Sequence, residues 1–456
     1  MEQNTSVRTA ASLQSSIERL LENKRYATLR DIFITLQPVD IAAMFDAMPE
    51  ESLPLLFRLL PKELAADTFV EMDDDAQEML IHGFSDTELK EVVDELYVDD
   101  AVDLIEEMPA NVVMRILRQA DPEVRKKINE VLNYPEDSAG SIMTTEFVSL
   151  RPSMTVSDSI KRIRRTGVDK ETIYTCYVID DNRKLIGMIS IKTLLLSDED
   201  EVVSDIMESN VISVNTLDDQ EQVAKKLNKY GFLAIPVVDG EKRLVGIVTV
   251  DDAIDVIQEE TTEDMEMMAA ITPTDKPYMK TGVFETYAKR IPWLLILMIS
   301  ATFTGWIISS YEQALAVQVA LTAFIPMLMD TGGNSGSQAS VTIIRGLSLD
   351  EIKFRDMPRV IFKECRVALL CGVTLAVANF AKLMLIDRVG FYVSLVVCLT
   401  LVCTVLVAKV IGCTLPMIAK KIGFDPAVMA SPFITTAVDA ISLLMYFQIA
   451  KLFFNI

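Results

Sequence analysis

Histidine is almost absent from this chain of 456 residues, in which His82 is the single example. The six cysteines show no spacing of the kind that binds zinc or forms a disulfide framework. The sequence therefore offers no nucleophile paired with a histidine base and no His and Cys ligand set. These absences argue against an enzyme and against a zinc protein.

Basic residues are scarce in the first part of the chain. Residues 1–275 contain 56 of the 66 acidic residues but 27 of the 43 basic ones, a net charge of -29, whereas residues 276–456 carry +6. This surplus disfavours nucleic acid as a partner and favours cations, although a solubilising acidic surface would explain the same charge. The abrupt change near residues 273–277 indicates an acidic soluble part joined to a membrane part.

A signal peptide is also missing, because MEQNTSVRTA has no basic start followed by an apolar core. The acidic part is therefore expected in the cytoplasm. Five apolar stretches follow, each long enough to span a bilayer, at 291–309, 314–343, 360–386, 391–417 and 427–454. Basic residues cluster after the second and fourth stretches, which places both loops in the cytoplasm and the C-terminus outside. We expect a multi-pass protein of the cell (inner or plasma) membrane, surrounded by lipid.

The patterning predicts a multidomain membrane protein. Its predicted parts are an acidic, all-α superhelical N domain at 1–134, two α/β domains at 135–199 and 200–255, an acidic connecting (plug) helix at 256–289, and a transmembrane domain of five helices at 290–456.

The two α/β segments form an internal repeat, in which Ile142-Met143 aligns with Ile206-Met207 and residues 185–187 align with 244–246. They resemble a tandem pair of cystathionine-β-synthase-type (CBS) domains. The resemblance implies binding of an adenosine nucleotide through an aspartate near the end of each repeat. The second repeat keeps this residue as Asp252, whereas the first has Thr193, which leaves ATP binding open.

The second apolar stretch contains an unusual segment, PMLMDTGGNSGSQ, at residues 326–338. Pro326 removes a backbone donor and the glycines of the segment allow bends, so we expect freed carbonyls there. Together with the amides of Asn334 and Gln338, these carbonyls would offer oxygen ligands to a hard cation. Asp330 supplies a carboxylate in the same segment. Close helix packing through the glycines is the alternative reading.

The fifth stretch contains SPFITTAVDA at residues 431–440. Asp439 is expected to face water or a cation, because an ionised group in the bilayer is costly. Pro432 is expected to free a carbonyl one turn earlier. Lys409, within the fourth stretch, is interpreted as snorkelling to the membrane edge.

PMLMDTGGNSGSQASVTIIRG and FDPAVMASPFITTAVDAISLLMYF, joined to the acidic helical domain and the CBS pair, resemble the MgtE family of magnesium channels and transporters over nearly the whole chain. The resemblance implies a Mg2+-selective channel or transporter for magnesium uptake, built as a homodimer with its pore on the two-fold axis. It implies these pore residues: Asp439, Asn334, Thr435, Ser431 and Asp330.

The family resemblance also implies a gate that closes when cytosolic Mg2+ binds between the acidic domains. The matching regulatory positions are Asp99, Asp103, Asp219, Glu221, Asp252, Asp255, Glu260 and Glu263. Bound divalent ions would cancel the repulsion within an acidic part that carries -29.

Two other functions share many of these features. A carrier that couples Mg2+ to Na+ or H+ would have nearly the same sequence, and the sequence does not separate it from a channel. A membrane-anchored sensor would not require Asp439.

Overall fold

A computed structural model describes residues 15–274, 278–279, 281–311, 319–429 and 431–454, without the side chain of Ser431. The chain divides into two compact units, Met1–Ile257 and Gln258–Ile456. The predicted pore role of Ser431 and the start of the second predicted span at residue 314 therefore lie outside the described residues.

The first unit begins with a series of short helices. After a helical segment at 15–22, they are Tyr26–Phe33, Pro38–Asp46, Leu53–Phe57, Lys62–Val70, Asp74–Gly83, Asp86–Val93, Val98–Glu107, Ala110–Gln119 and Pro122–Val131. Polar side chains cap the starts of two of these helices: Asp73 accepts a hydrogen bond from the Ala76 backbone amide, and Ser85 forms a capping box with Glu88. Leu and Phe side chains three and four residues apart form one continuous core across successive helices. The predicted helical N domain is confirmed.

Two small α/β domains complete the first unit. The first contains strands Phe147–Leu150, Thr172–Ile179 and Leu185–Ser190 with helices Val156–Thr166 and Ile191–Leu196; the second contains strands Val214–Asn215, Ala234–Val238 and Leu244–Thr249 with helices Val203–Ile206 and Gln220–Tyr230. In each sheet the first two strands are parallel and the last two antiparallel. The pairs Val178–Gly187 and Val237–Gly246 occupy the same register position, which confirms the aligned repeat.

Each of the two domains packs a methionine against a glycine of the other domain. A Cβ atom on Gly187 would collide with the Met207 sulfur, and one on Gly246 would collide with the Met143 sulfur. Each methionine therefore packs on the glycine of the other repeat. This reciprocal contact explains why the Ile-Met pair and the strand glycine occur together in both halves.

The second unit continues from the acidic helix Val250–Met268, which begins in the first unit, and contains five further long helices. They are Val283–Ser310, Ile325–Ser348, Met357–Leu385, Phe391–Ile422 and Ser431–Phe454, with short 3-10 turns at Val319–Phe324, Phe354–Asp356 and Ala427–Met429. By length and hydropathy, four segments of the described part could cross a membrane: 283–310, 354–385, 391–422 and 427–454. Ile325–Ser348 is long enough, but its polar residues lower its hydropathy. The predicted helical membrane domain is confirmed.

Glycines bring three of these helices together. A Cβ atom on Gly333 would lie 2.9 Å from the Thr435 methyl carbon, and one on Gly336 would lie 2.6 Å from an Ile434 methyl carbon. On Gly412 it would meet the Gly336 carbonyl oxygen. Ile325–Ser348 is therefore in close contact with both Phe391–Ile422 and Ser431–Phe454, as the packing alternative expected.

The freed carbonyls predicted within the second span are not found in its described helix. Pro326 and Pro432 each lie in the first turn of their helix, where a backbone N–H has no acceptor inside the helix. Ile325–Ser348 runs unbroken through the glycine-rich segment, so Pro326 frees no carbonyl within it.

Candidate metal-ion sites

Carboxylates from three elements of the first unit lie within electrostatic range of one another. We name them the carboxylate cluster; its members are Asp99, Asp100, Glu171, Asp251 and Asp252. The two aspartate pairs lie at the starts of helices Val98–Glu107 and Val250–Met268, while Glu171 directly precedes strand Thr172–Ile179. Asp67, Glu71 and Asp255 act on the cluster from its edge.

Apolar neighbours that pack into the core hold some of these acidic side chains in buried positions. Val98, Ala101 and Val102 are at most 3% exposed, and the helix that they anchor leaves Asp99 only 7% exposed. A side chain in this position loses most of its hydration. The charged groups with the largest effect on Asp99 and Asp100 are all acidic, so they add to this cost instead of offsetting it.

Burial and mutual repulsion raise the pKa values of Asp99, Asp100, Glu171 and Asp252. The pKa of Asp99 lies well above its ordinary value, first because of burial and then because of Asp252. The same two causes raise the pKa of Asp100 to about 7. Burial, followed by repulsion from Asp100, raises the pKa of Glu171 to about 8. The charged form of the cluster is therefore unfavourable unless a cation accompanies it.

Two oxygens of the cluster suit a hard cation. Asp99 Oδ1 and Glu171 Oε2 are buried and accept no hydrogen bond from the described residues. Carboxylate oxygens are the ligands that Mg2+ prefers. Within the described part of the chain, no three acidic, histidine or cysteine residues are close enough together to hold a metal ion as they stand. The chemistry of the donors thus fits Mg2+, while closer approach of the carboxylates would be needed to ligate it.

The predicted regulatory residues fall into several places. Asp99 and Asp252 belong to the carboxylate cluster, and Asp255 lies at its edge. Asp103 lines a cavity of about 250 Å³ in the helical domain, together with Asp100. Glu260 and Glu263 lie in the second unit, further along Val250–Met268.

Asp219 and Glu221 have partners of their own. The Asp219 carboxylate accepts a hydrogen bond from the Gln222 amide and caps helix Gln220–Tyr230. Glu221 forms an ion pair with Lys225 one turn later. Asp219 and Glu221 therefore each have a role in local structure, as a helix cap and as a member of an ion pair within one helix.

Asp100, Asp251 and Glu171 were not predicted. A sequence signal for the first two does exist, because VDDAVD at residues 98–103 repeats as VDDAID at 250–255. The repeated pattern places an aspartate pair in the first turn of each helix. No comparable signal marks Glu171, whose position depends on how the first sheet packs.

The cleft between the two CBS repeats is narrow. Its volume is about 160 Å³, and Thr193, Glu208 and Phe232 line it. Pockets for small-molecule ligands are typically about 300–1,000 Å³. Asp252, the residue that the resemblance associates with nucleotide, accepts hydrogen bonds from the Thr249 hydroxyl and amide.

In the membrane unit, polar side chains form a stripe on one helix. Asp330, Asn334 and Gln338 are four residues apart on Ile325–Ser348, and all three are exposed. They line a cavity of about 500 Å³ together with Lys409. Exposed polar groups of this kind are disfavoured against lipid, so the stripe requires water or a protein partner.

Asp439 lies near this stripe. Its side chain is half-buried on Ser431–Phe454, and the Asp330 carboxylate is close enough to interact with it electrostatically. Thr435, one turn earlier, contacts Gly333, and its hydroxyl donates a 2.9 Å hydrogen bond to the Pro432 carbonyl. Two carboxylates from different helices thus share one region of the membrane unit.

The interpretation of Lys409 as a snorkelling side chain is wrong. Lys409 is 5% exposed, and its ammonium group lies 3.8 Å from the Glu364 carboxylate. An ion partner on the neighbouring helix replaces the water that snorkelling would have provided.

Family comparisons cover most of the chain. The description "MgtE intracellular N domain" matches residues 36–137, "CBS domain" matches 139–199 and 203–259, and "Divalent cation transporter" matches 325–449. The magnesium transporter MgtE of Thermus thermophilus is 35% identical over 450 residues, covering 96% of this chain and 98% of the relative. That of Bacillus subtilis is 34% identical over 440 residues, covering 96% of each.

Two solved structures match the first unit. One is the cytosolic domain of the Mg2+ channel MgtE in complex with ATP, with a TM-score of 0.51 and 35% identity over 53% of this chain and 99% of that one. The other is the soluble part of a magnesium transporter, with a TM-score of 0.52 and 33% identity over 55% of this chain and 99% of that one.

Proposed function

Because the chain belongs to the MgtE family of magnesium transporters, which are not enzymes, we propose that it is a Mg2+-selective channel for magnesium uptake that closes when cytosolic Mg2+ binds its acidic first unit. The main observation behind the proposal is that the carboxylates of Asp439 and Asp330 lie within electrostatic range of each other, on two membrane helices that are in close contact.

A homodimer would complete the pore. The stripe formed by Asp330, Asn334 and Gln338 is exposed in one copy of the chain, and a second copy related by a two-fold axis would shield it from lipid. Two copies of Asp439 would then bring two negative charges to one axis, matching one Mg2+. The two-fold axis would thus form one Mg2+ site from the same residue of both copies.

Hydrated Mg2+ is the ion that we expect at this site. Mg2+ gives up its water reluctantly and binds through few carboxylates, so Asp439 would hold it largely through its water shell. Asp330 and Asn334, one turn apart on Ile325–Ser348, would contact the ion beside Asp439. Thr435 is assigned a packing role as well, because its hydroxyl is bonded to the Pro432 carbonyl.

Gating would arise from differential binding of Mg2+ to the first unit. A ligand shifts a conformational equilibrium only when it binds one state more tightly. Drawing the carboxylates of Asp99, Asp252 and Asp255 towards bound ions would favour a compact first unit, which we assign to the closed pore. Glu260 and Glu263 lie on the helix that continues towards the membrane unit, where they would transmit or extend this response.

The orientation follows from charge. Arg345, Arg355 and Lys363 lie around the turn between the second and third long membrane helices. The positive-inside rule assigns that turn to the cytoplasm, together with the first unit, and leaves the C-terminus outside. The protein would then reside in the cell membrane.

ATP is a possible second ligand of the CBS pair. One solved relative is described as a complex with ATP. The narrow cleft of about 160 Å³ would have to widen to admit a nucleotide here. Titration calorimetry with ATP tests this point, and we expect weak binding compared with a chain in which Thr193 is replaced by Asp.

The pore proposal is tested by Mg2+ entry into liposomes that contain the purified protein, an internal Mg2+ indicator and a fixed membrane potential. We expect entry driven by voltage alone, abolished by Asp439→Asn. Asp350→Asn is the matched control, because Asp350 is exposed in the turn after Ile325–Ser348. Entry that persists in Asp439→Asn would contradict the assigned site, and entry that requires a Na+ or H+ gradient would instead indicate a carrier.

A further inference from the structure

A cavity lies where the acidic helix Val250–Met268 ends and the first membrane helix, Val283–Ser310, begins. Its volume is about 380 Å³, within the usual range of roughly 300–1,000 Å³ for ligand pockets. Hydroxyl groups and bases dominate its lining: Thr262, Thr272, Thr274, Thr281, Thr286, Tyr278, Lys289 and Arg290. The carboxylate of Glu266 and the side chain of Ile271 complete it.

Three hydrogen bonds build the wall of this cavity. The Thr272 amide donates to the Lys289 carbonyl at 3.2 Å, and the Lys289 ammonium donates to the Pro273 carbonyl at 2.6 Å. The Thr274 amide donates to a Glu266 carboxylate oxygen at 3.0 Å. Residues 272–274 therefore lie against the acidic helix and the start of the first membrane helix, which gives the cavity a defined shape.

The charged side chains that line the cavity favour binding of an anion. Among the described residues that line the cavity, two are bases, Lys289 and Arg290, and one is an acid, Glu266. The Glu266 carboxylate already accepts a hydrogen bond from the Thr274 amide. Arg290 is exposed and has no ion-pair partner among the residues that the structure describes. A guanidinium with several hydroxyls around it is well suited to the oxygens of a phosphate group.

The surroundings point to a lipid as the source of that phosphate. Tyr278, which lines the cavity, is 75% exposed, and the apolar and aromatic side chains close to lining residues in the sequence are exposed as well: Met279 is 90%, Phe284 89% and Tyr287 60% exposed. Aromatic residues at the end of a membrane helix, close to bases, are typical of the headgroup region of a bilayer. Lipid chains would cover this apolar surface, whereas a free anion in solution would not.

We propose that this cavity binds the phosphate of an anionic phospholipid headgroup, with Arg290 and Lys289 as its charged contacts. Bound lipid would hold residues 272–274, which follow the acidic helix, against the first membrane helix. The site shares no residue with the proposed pore or with the carboxylate cluster, so its occupancy can be measured without any flux of Mg2+.

The test is native mass spectrometry of the full-length protein, delipidated in detergent and titrated with phosphatidylglycerol or phosphatidylcholine. We expect phosphatidylglycerol to be retained preferentially, and Arg290→Gln to weaken its binding by about tenfold, since a charge-assisted contact is lost. Arg290→Gln leaves the Lys289 bond to Pro273 in place, so the wall of the cavity should persist. An unchanged melting temperature would verify this.

The control is Arg355→Gln with Lys363→Gln, which removes two exposed bases near the start of the third long membrane helix. Equal loss of phosphatidylglycerol in this control and in Arg290→Gln would overturn the proposal in favour of unspecific attraction. Displacement of the lipid by millimolar inorganic phosphate would also overturn it and would identify a site for free phosphate. Equal retention of phosphatidylcholine and phosphatidylglycerol would exclude recognition of an anionic headgroup.

Discussion

The Lys409 ammonium group lies 3.8 Å from a Glu364 carboxylate oxygen, and the two side chains are only 7% and 12% exposed. Lys409 belongs to Phe391–Ile422 and Glu364 to Met357–Leu385. The pair links two membrane helices and compensates two charges that the bilayer interior would otherwise disfavour.

Glu364→Gln should therefore destabilise the protein by about 3–5 kcal/mol, because it leaves a buried ammonium group without its counter-charge. Thermal unfolding of the protein in detergent measures the loss. Asp387→Asn is the control, since Asp387 lies 3.1 Å from Lys382 in an exposed pair and should cost about 0–1 kcal/mol. Equally small shifts in the two variants would show that the Lys409 pair is not desolvated.

Gly412→Ala should separate two membrane helices. A Cβ atom at this position would collide with the backbone carbonyl of Gly336, which cannot move aside as a flexible side chain could. We expect a loss of about 1–3 kcal/mol, the usual cost of overpacking. The measurement is thermal unfolding, with Gly305→Ala as the control because no atom lies within 4 Å of its added Cβ. Gly305→Ala should be neutral or stabilising by up to about 1 kcal/mol.

The stability of the first unit should fall as pH rises when divalent ions are absent. The pKa of Asp100 is raised from 3.8 to about 7 and that of Glu171 from 4.5 to about 8. The folded state therefore binds more protons than the unfolded state between about pH 4 and pH 8, and stability is lost across that window. Urea unfolding of residues 1–274 in chelator at pH 5, 6.5 and 8 measures this. A midpoint that rises with pH would contradict the assignment.

Mg2+ should replace those protons. We expect Mg2+ to raise the melting temperature of the first unit more at pH 8 than at pH 5, because protons and Mg2+ compete for the same oxygens. Asp99→Asn with Glu171→Gln should stabilise the metal-free protein by at least about 1 kcal/mol and reduce the shift caused by Mg2+.

The matched control for that measurement is Glu199→Gln with Asp200→Asn, which removes two exposed carboxylates from a turn of the first CBS repeat. This pair should leave the Mg2+ shift unchanged. If both double variants respond to Mg2+ as the unmodified chain does, the carboxylate cluster is not the regulatory site. In the full-length protein, the cluster variant should also require about tenfold more cytosolic Mg2+ to inhibit flux, the effect of losing about 1.4 kcal/mol of binding free energy.

The strongest sequence signals lay in periodicity and in repeats. The internal repeat, which aligns Gly187 with Gly246, was sufficient to predict two equivalent α/β domains, because equivalent side chains set the same register in each. Asp439 and Asp330 could be selected as candidates because a carboxylate in an apolar stretch is conspicuous. The repeated VDDA segment carried the aspartate pairs of the cluster, although its meaning required the structure.

By itself, the sequence determined the division into an acidic part and a membrane part, since charge and hydropathy depend on composition alone. Only the tertiary structure decided that Glu171 joins Asp99 and Asp252, that Lys409 pairs with Glu364, and that both prolines begin their helices. These outcomes depend on which distant residues pack together and on where each helix starts. A local sequence pattern contains no information on either point.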